Sequence, residues 1–334
     1  IHMERPVLGI LVAALVGCLT IITQTASAQG VTAISGTSGA GDLGTEISQS
    51  GNTYRITHGT PIGKNLFHSF NEFSLASGDI ARFQTTTLTP DVTVQNILGR
   101  VTGENPSYLS GTIDSATFYP QASLFLMNPA GIVFGPTATL NVGGSVTFTT
   151  AHYLRLAEAN GSQPGIFSAN PTQSNMLTSA PVSAFGFLNT NVNPIKPITL
   201  EGSALSVPVG QSLSLVGGNI SISSGSVINA PSGQIMLASA TSGGEILTNP
   251  LQNAPNLNNE SFSTMGNIDV TSSTLDVSGS NSIGNGSGGT IVIRGGRLVL
   301  NGGIISANTL ADVDGAQTAV DIKLTDDIHL QNAS

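Results

Sequence analysis

Histidine is the side chain of this sequence best suited to acid–base chemistry or metal binding near neutral pH. The chain has five of them: His2, His58, His68, His152 and His329. No two stand at the spacing of metal ligands, and the one cysteine, Cys18, cannot complete a zinc set. His68 lies beside three phenylalanines, which favours a hydrogen-bonded structural role over that of a catalytic base. The sequence therefore predicts no metal site, no cofactor and no catalysis by histidine.

A glycine-rich run is the second segment with the residue types of a binding site. Gly284–Gly289 satisfies the G-x-G-x-x-G pattern of nucleotide-binding loops. Thr290–Ile293 follows it, however, and is typical of a strand where a nucleotide site requires the N-terminus of a helix. The run also lacks the repeated aspartates that would bind calcium. We interpret it as a glycine-rich corner.

Asp326 and Asp327 form the only adjacent acidic pair of the sequence. Enzymes that degrade polysaccharides combine such carboxylates as acid and base or nucleophile. No cluster of Asp, His, Arg and Lys accompanies this pair. A solvated surface pair is therefore favoured over an active site, and the chain is predicted not to be an enzyme.

The composition excludes some partners and indicates the fold class. A formal net charge of −9 disfavours electrostatic binding to nucleic acid or to an anionic membrane surface. Charged residues make up only 9% of the chain, beside 40 glycines. Few helices could solvate their outer faces with so few charges, whereas strands can use Ser, Thr and Asn there. We therefore expect an all-β fold.

The N-terminus has the form of an export signal. An apolar run, Val7–Ile22, precedes Ala26, Ala28 and Gln29, which have the small-x-small form of a signal-peptidase site. We predict a signal peptide over residues 1–28. Residues 1–2, before the first methionine, are interpreted as either a cloning remnant or part of an upstream reading frame.

Two alternatives to cleavage after Ala28 remain open. The apolar run could be kept as an anchor, although it is short for a membrane span. Leu15–Cys18 also resembles a lipobox, which would leave Cys18 lipidated. After cleavage at Ala28 the chain has no cysteine, so burial and backbone hydrogen bonds must hold it together. With no second long apolar segment, we do not expect an integral membrane protein.

Leu124–Gly135 carries the clearest local signal, two apolar runs around Asn128-Pro129-Ala130-Gly131. Pro129 fixes φ for the second place of a turn, while Asn128 suits the first place and Gly131 the fourth. The residue before a proline is also driven towards extended geometry. We predict a buried strand, a type I turn and a second buried strand beginning at Ile132.

The densest aromatic segment contains Phe67, Phe70 and Phe73. A spacing of three alternates the faces of a strand, so a bend or a short helical turn is needed if all three are to be buried together. Two interpretations of this cluster, with Asn65 and His68, remain open. The residues either pack under an N-terminal β cap or form a docking surface for a partner.

From Ile198 onward, short polar-apolar-polar-apolar units recur along the chain. They are Asn219–Ile222, Gln234–Leu237, Asn267–Val270, Thr290–Ile293, Arg297–Leu300 and Asp321–Leu324. A repeat of about twenty residues with short strands and Gly or Asn corners is what a parallel β-helix, a solenoid, requires. Each coil buries a face of Ile, Val and Leu against its neighbours. We expect the coils to continue beyond Ser334.

Less regular segments suggest where the chain leaves this stack. Ala151–Pro197 is expected to form hairpins or a long excursion outside it, with Leu154–Ala159 as a candidate helical turn. Asn253–Met265 reads as a loop between coils. We therefore divide the mature chain into a first domain over residues 29–245, a loop over 246–265 and further coils over 266–334.

Several segments together resemble a known family. They are Asn65–Phe70, Val94–Leu98, Arg100–Gly103, Leu124–Gly135, Leu140–Ser145, Ser214–Ile220 and Ile304–Thr309. They are similar to the N-terminal secretion domain of two-partner secreted, filamentous-haemagglutinin-like exoproteins, in the form common in cyanobacteria. The resemblance implies a right-handed parallel β-helix with an N-terminal β cap. It also implies passage from the periplasm across the outer membrane through a β-barrel transporter whose POTRA domains recognise the domain.

The sequence departs from the family pattern at one position of the turn. The family motif usually reads Asn-Pro-Asn-Gly-Ile, and Ala130 replaces its second Asn. The turn tolerates alanine, so only a partner contact by that side chain is in doubt. For Asn128 two roles remain open, shaping the turn and direct recognition by the transporter. The second family motif has only partial counterparts, at Asn105–Tyr108 and Asn193–Lys196.

The resemblance implies a secreted or cell-surface protein of a Gram-negative bacterium, with the β-helix surface used for adhesion to an unidentified host or neighbouring-cell ligand. One alternative is a delivery stalk for a contact-dependent toxin, whose activity would lie in sequence beyond Ser334. The other is a β-helix enzyme that degrades polysaccharide.

Overall fold

The computed structural model describes residues 30–158, 163–173, 175–188, 194–248, 262–280, 286–310 and 312–333. These residues form strands, turns and bends without a helix, so no helix in them could cross a membrane. The predicted signal peptide, with Cys18, Ala26, Ala28 and Gln29, lies outside the described residues, as does most of the Asn253–Met265 loop.

The strands follow one another in short steps along the chain. They are β1 Ala33–Gly36, β2 Thr45–Ser50, β3 Thr53–His58, β4 Thr60–Ile62, β5 Asn65–Ser74, β6 Ile80–Phe83, β7 Asn96–Val101, β8 Ser107–Leu109, β9 Thr112–Asp114, β10 Ser123–Met127, β11 Ile132–Phe134, β12 Thr139–Asn141, β13 Val146–Thr149, β14 Tyr153–Leu156, β15 Ile166–Ser168, β16 Val182–Phe187, β17 Ile198–Glu201, β18 Ala204–Ser206, β19 Ser212–Gly217, β20 Ile220–Ser223, β21 Val227–Asn229, β22 Gln234–Ser239, β23 Gly244–Leu247, β24 Ile268–Thr271, β25 Thr274–Asp276, β26 Thr290–Gly295, β27 Leu298–Asn301, β28 Ile304–Ser306, β29 Val320–Leu324 and β30 Ile328–Gln331.

Parallel sheets run along the stack of coils. The long sheet has the order β5-β7-β10-β13-β19-β22-β26-β29, with β1 and β4 antiparallel on the outer edge of β5. A seven-stranded sheet runs β8-β11-β17-β20-β24-β27-β30. The remaining side holds β3-β6-β9-β12, with β2 antiparallel on the outer edge of β3, and β18-β21-β25-β28. Each coil visits these sides in turn, as β19, β20 and β21 do before β22, so the chain forms a parallel β-helix, as the repeats predicted.

In-register apolar rows fill the interior of the stack. Leu124, Val146, Leu213 and Ile235 occupy successive strands of the long sheet, and each is at most 1% exposed. The next inward row contains Leu126, Phe148, Leu215, Leu237 and Ile293. Removing these rows from water is the main force that holds one coil on the next.

The outer face of the long sheet is also apolar, and a separate antiparallel sheet covers it. This antiparallel sheet has the order β15-β14-β16-β23. Its side chains form a second core with outward residues of the long sheet, among them Leu154, Phe167, Phe185 and Ile246 from the cover and Phe67, Leu98, Met127, Val216 and Ala238 from the long sheet. The expected excursion from the stack is therefore a sheet to which two coils contribute strands.

Two expectations for this region need correction. The helical turn considered for Leu154–Ala159 is wrong, because Tyr153–Leu156 is strand β14 and pairs with β15 on one side and β16 on the other. The expected boundary at residue 245 falls inside strand β23. Across that boundary, β22 pairs directly with β26, so the long sheet is continuous.

Truncating one inward side chain should weaken the whole stack. We expect Leu215→Ala, at a fully buried central position, to lower the free energy of unfolding by about 2–5 kcal/mol, because the neighbouring coils cannot fill the cavity. Urea unfolding followed by circular dichroism measures the change. Ser221→Ala, on the outward side of β20, is the control and should change stability by less than about 0.5 kcal/mol. Equal losses in both variants would contradict this account of the core.

Candidate functional site

The Asn128 turn joins β10 of the long sheet to β11 of the seven-stranded sheet. The Gly131 amide donates to the Asn128 carbonyl over 3.1 Å, which closes the four-residue turn. The Asn128 side-chain oxygen accepts from the Ala130 amide over 2.9 Å. The prediction of strand, turn and strand over Leu124–Gly135 is therefore confirmed, with Ile132 fully buried at the start of β11.

The Asn128 amide also ties this turn to the preceding coil. Its nitrogen donates to the Asn105 carbonyl over 3.1 Å and to the Ser107 hydroxyl over 2.9 Å. The side chain is fully buried, and its oxygen and both N–H groups are paired. A buried amide satisfied in this way stabilises the corner where it lies. In the folded domain Asn128 thus shapes the turn and offers no surface to a partner.

Gly131 and Ala130 have different roles in the turn. Gly131 has φ of +116°, a conformation that residues with a side chain rarely adopt. Pro129 and Ala130 are both partly exposed. The only atom of Ala130 that the turn uses is the backbone nitrogen, which explains why alanine can stand where the family usually has asparagine.

The described parts of the two partial motifs flank this turn, while Asn193 lies outside the described residues. Pro106 lies on one side of Gly131, while Lys196 and Pro197 lie on the other. All of them occupy the same corner in successive coils, between the long sheet and the seven-stranded sheet. The sequence could have shown that these residues share a corner, because each of them comes just before a strand of the seven-stranded sheet.

Strand β5 carries the other group of predicted site residues. Asn65 is 1% exposed and donates to the carbonyls of Thr178 and Ala180 over 2.9 and 2.8 Å. It also accepts from the Asn96 side chain over 2.8 Å. Asn65 therefore fixes the segment before β16 to the first coils of the stack.

The three phenylalanines of β5 are all buried, but they enter two cores. Phe70 and Phe73 face the interior of the stack, with ring centroids 4.9 Å apart. They reach the same side because the pairing of β5 with β1 skips Asn71, a bulge that supplies the bend required by their spacing. Phe67 points outward instead and meets Phe167 of the antiparallel sheet at 5.1 Å. A single Phe cluster is therefore not formed.

His68 is buried between the rings of Phe70 and Phe83. Its Nδ1 lies 3.2 Å from the Thr45 hydroxyl, while its Nε2 has no hydrogen-bond partner among the described residues. Burial lowers the pKa of His68 to about 3, so the ring is neutral near pH 7. The imidazole is shielded from solvent and packs as part of the interior.

The other candidate residues are dispersed. No group of three or more metal-ligating side chains occurs in the described ranges. His58 contacts Glu46 at 3.3 Å and His329 contacts Asp327 at 2.7 Å, both on the surface. The strand predicted after the glycine-rich run is confirmed as β26, although residues 284–285 of that run lie outside the described residues.

Arg100 is the residue whose role sequence reasoning missed. In the sequence Arg100 stands out only as part of a segment that resembles the secretion-domain family. In the structure its side chain is fully buried and hydrogen-bonded to three separate parts of the chain. The signal was an arginine that follows Ile97 and Leu98 and precedes Val101 within the strand Asn96–Val101. Such a position usually faces a sheet's solvated side, and the sequence did not reveal that this side is covered.

These observations define the class of protein: a parallel β-helix domain whose distinctive residues support its corners and its covered face. A family model described as the TPS secretion domain matches residues 32–325, and the chain belongs to this family, which directs the export of two-partner secreted exoproteins. Such exoproteins cross the outer membrane of Gram-negative bacteria by way of a transporter partner.

Solved structures of secretion domains are similar to this chain. One is the HMW1 secretion domain from Haemophilus influenzae, with 19% identity and a TM-score of 0.45 over 83% of this chain and 73% of that one. Another is a filamentous hemagglutinin secretion domain, with 17% identity and a TM-score of 0.44 over 92% of this chain and 100% of that one. No curated protein matches the sequence.

Removing the Asn128 amide should destabilise the corner. We expect Asn128→Ala to lower the free energy of unfolding by about 1–3 kcal/mol, because the Ala130 amide and the Asn105 carbonyl lose their partner. Urea unfolding measures the change. Asn105→Ala, whose exposed side chain bonds only Glu72, is the matched control and should cost less than about 0.5 kcal/mol. No difference between the two variants would show that the buried amide is dispensable.

The buried His68 should make stability depend on pH. The unfolded ring titrates near 6.5 and the folded ring near 3, so between these values the unfolded chain binds the additional proton. Its contribution is complete above about pH 6.5 and falls as pH drops towards 3, by up to about 1.4 kcal/mol per pH unit. His68→Gln should show a correspondingly flatter profile of unfolding free energy against pH. An equal slope in the wild-type protein and in His68→Gln would contradict this role.

Proposed function

We propose that this chain is the export-directing N-terminal part of a secreted exoprotein, recognised in the periplasm by the POTRA domains of an outer-membrane β-barrel transporter. The observation that carries the proposal is the match of the secretion-domain family over nearly all described residues. The anionic chain with its polar, weakly charged surface also suits passage through an aqueous pore.

The contacts between successive coils support this mechanism. Each coil contacts mainly its neighbours in the long and seven-stranded sheets, so the stack can grow coil by coil as the chain emerges. Stacked coils are wider than an extended chain and cannot re-enter the pore. Folding outside the cell then biases movement outward without any other energy source.

A stack that grows in one direction needs a cover over the edge of its first coil. Strands β1 and β4 together pair with most of the length of β5, the edge strand of the long sheet. We propose that these strands act as the N-terminal cap, because a free parallel edge would pair with other chains. Later coils then add only at the opposite end.

The seven-stranded sheet is the surface that we assign to adhesion. Its outward side chains include Thr199, Ser221 and Asp269, all partly exposed and polar, in register on successive strands. The long sheet, by contrast, is covered by the antiparallel sheet. A polar, regularly spaced face suits contact with a host or neighbouring-cell surface.

Co-expression with the cognate transporter tests the export proposal. The wild-type chain with its signal peptide should reach the medium only when the transporter is present, whereas a reporter protein fused to residues 1–28 alone should stay in the periplasm. Immunoblots of medium and periplasm measure the distribution. Appearance of the wild-type chain in the medium without any transporter would overturn the proposal.

Two variants at buried positions distinguish the two possible roles of Asn128, shaping the turn and direct recognition by the transporter. If Asn128 acts through the turn, Asn128→Ala and Leu215→Ala should lower the exported fraction in proportion to their losses of stability. A much larger defect for Asn128→Ala at equal stability would instead show that the transporter reads this side chain, which is buried once the domain has folded.

A further inference from the structure

Arg100 is a buried cation at the junction of three parts of the molecule. Its Nε donates to the Ser69 hydroxyl of β5 over 2.9 Å. Its Nη2 donates to the carbonyl of Gly41, in the N-terminal segment, over 2.7 Å. Its Nη1 donates to the Ser168 carbonyl and, over 3.1 Å, to the Asn175 side chain, both from the excursion that forms the cover. The guanidinium carbon also lies 5.0 Å from the centre of the Phe167 ring.

These partners are unusual for a buried arginine because every one of them is neutral. Arg294 provides the contrast within the same outward row of the long sheet. It is 2% exposed and pairs with the Asp321 carboxylate at 2.6 Å. Desolvation without such a carboxylate lowers the pKa of Arg100 to about 10, which leaves it charged at neutral pH. A charge in this position is stable only while all its acceptors are in place.

The N-terminal segment and the cover approach each other closely at this charge. A β-carbon added at Gly41 would lie 2.5 Å from Cβ of Pro171 and 2.7 Å from Nη2 of Arg100. Gly41 also has φ of +79°. Only glycine fits this conformation in so little space, so the contact places the two segments against Arg100 together.

The N-terminal segment, residues 30–45, joins the rest of the domain through both apolar and polar contacts. Strand β1 pairs with β5, and Ile34 and Leu43 pack against the two apolar cores. The Ser69 hydroxyl, which accepts from Arg100, also donates to the Thr37 hydroxyl over 2.8 Å. Detachment of this segment would therefore remove hydrogen bonds around the guanidinium as well as apolar contacts.

We propose that Arg100 is a lock residue that couples docking of the N-terminal segment, residues 30–45, to docking of the antiparallel cover. If only one of the two segments were docked, part of the guanidinium would be buried without hydrogen-bond acceptors. The two segments therefore dock together. The hydrogen-bond acceptors of Arg100 lie between residues 41 and 175. All of them can bond Arg100 only after the coil containing β7 and the first excursion are both present. The inference concerns folding of the purified chain and does not depend on the transporter.

Hydrogen exchange of the complete secreted chain, measured by mass spectrometry, tests the lock. In Arg100→Met we expect the amides of Thr37–Thr45 and of Ile166–Gln173 both to exchange at least about tenfold faster, since bonds to a charged group are lost in both segments. Amides of β19 and β22 should keep their protection. Arg55→Met, at an exposed position of β3, is the matched control and should leave all these rates unchanged.

Faster exchange in only one of the two segments, or in neither, would overturn the proposal. A loss of protection throughout β19 and β22 would also overturn it, because the coils would then depend on the lock for their own stacking.

A second variant tests coupling without removing the charge. Asn175→Ala deletes one acceptor in the cover, and coupling through Arg100 predicts at least about threefold faster exchange in Thr37–Thr45. In the Arg100→Met background the same substitution should add nothing there. Unchanged rates in the N-terminal segment, or an equal effect in both backgrounds, would show that Arg100 does not transmit the change.

Discussion

The in-register stacking of identical positions in successive coils is the constraint on which this structure depends. Each inward side chain faces its counterpart one coil away, so apolar residues must recur at the same place, as Leu213 and Ile235 do. The corners are equally constrained. A β-carbon at Gly233 would lie 1.9 Å from the Gln211 carbonyl, and one at Gly289 would lie 2.0 Å from that of Gly233. Coils this close require glycine at the contact, which explains much of the glycine content.

The covered face follows from the same stacking. Parallel strands in register place outward side chains in rows as regular as the inward ones, and on the long sheet these rows include Leu98 and Val216. Such a face would be exposed apolar surface if the antiparallel sheet did not cover it. Polar groups enter this second interface only where neighbouring segments satisfy them, as with Arg100. The excursions are therefore part of the stable structure rather than loops attached to it.

This organisation is consistent with export in an extended form. Apolar rows and backbone ladders form between neighbouring coils, so no disulfide is needed to hold one coil on the next. The signature turn shows how family and fold are related. Asn128 and Gly131 are buried and support a corner, whereas Ala130 is partly exposed and can vary. The buried residues of this turn are thus ones that the corner itself requires.

Sequence alone determined the all-β composition, the coil repeat and the turn at Asn128, because strand alternation, glycine corners and proline geometry are local effects. It also predicted the strand that follows the glycine-rich run. It did not reveal that Phe67 and Phe70 enter different cores, that Tyr153–Leu156 is a strand, or that Arg100 is buried. Those features depend on a bulge, on pairing with distant strands and on a cover that reaches Arg100 through Asn175, 75 positions further along the chain. Only the tertiary structure decides which side of a strand is covered, since alternation gives the two faces but not what packs against them.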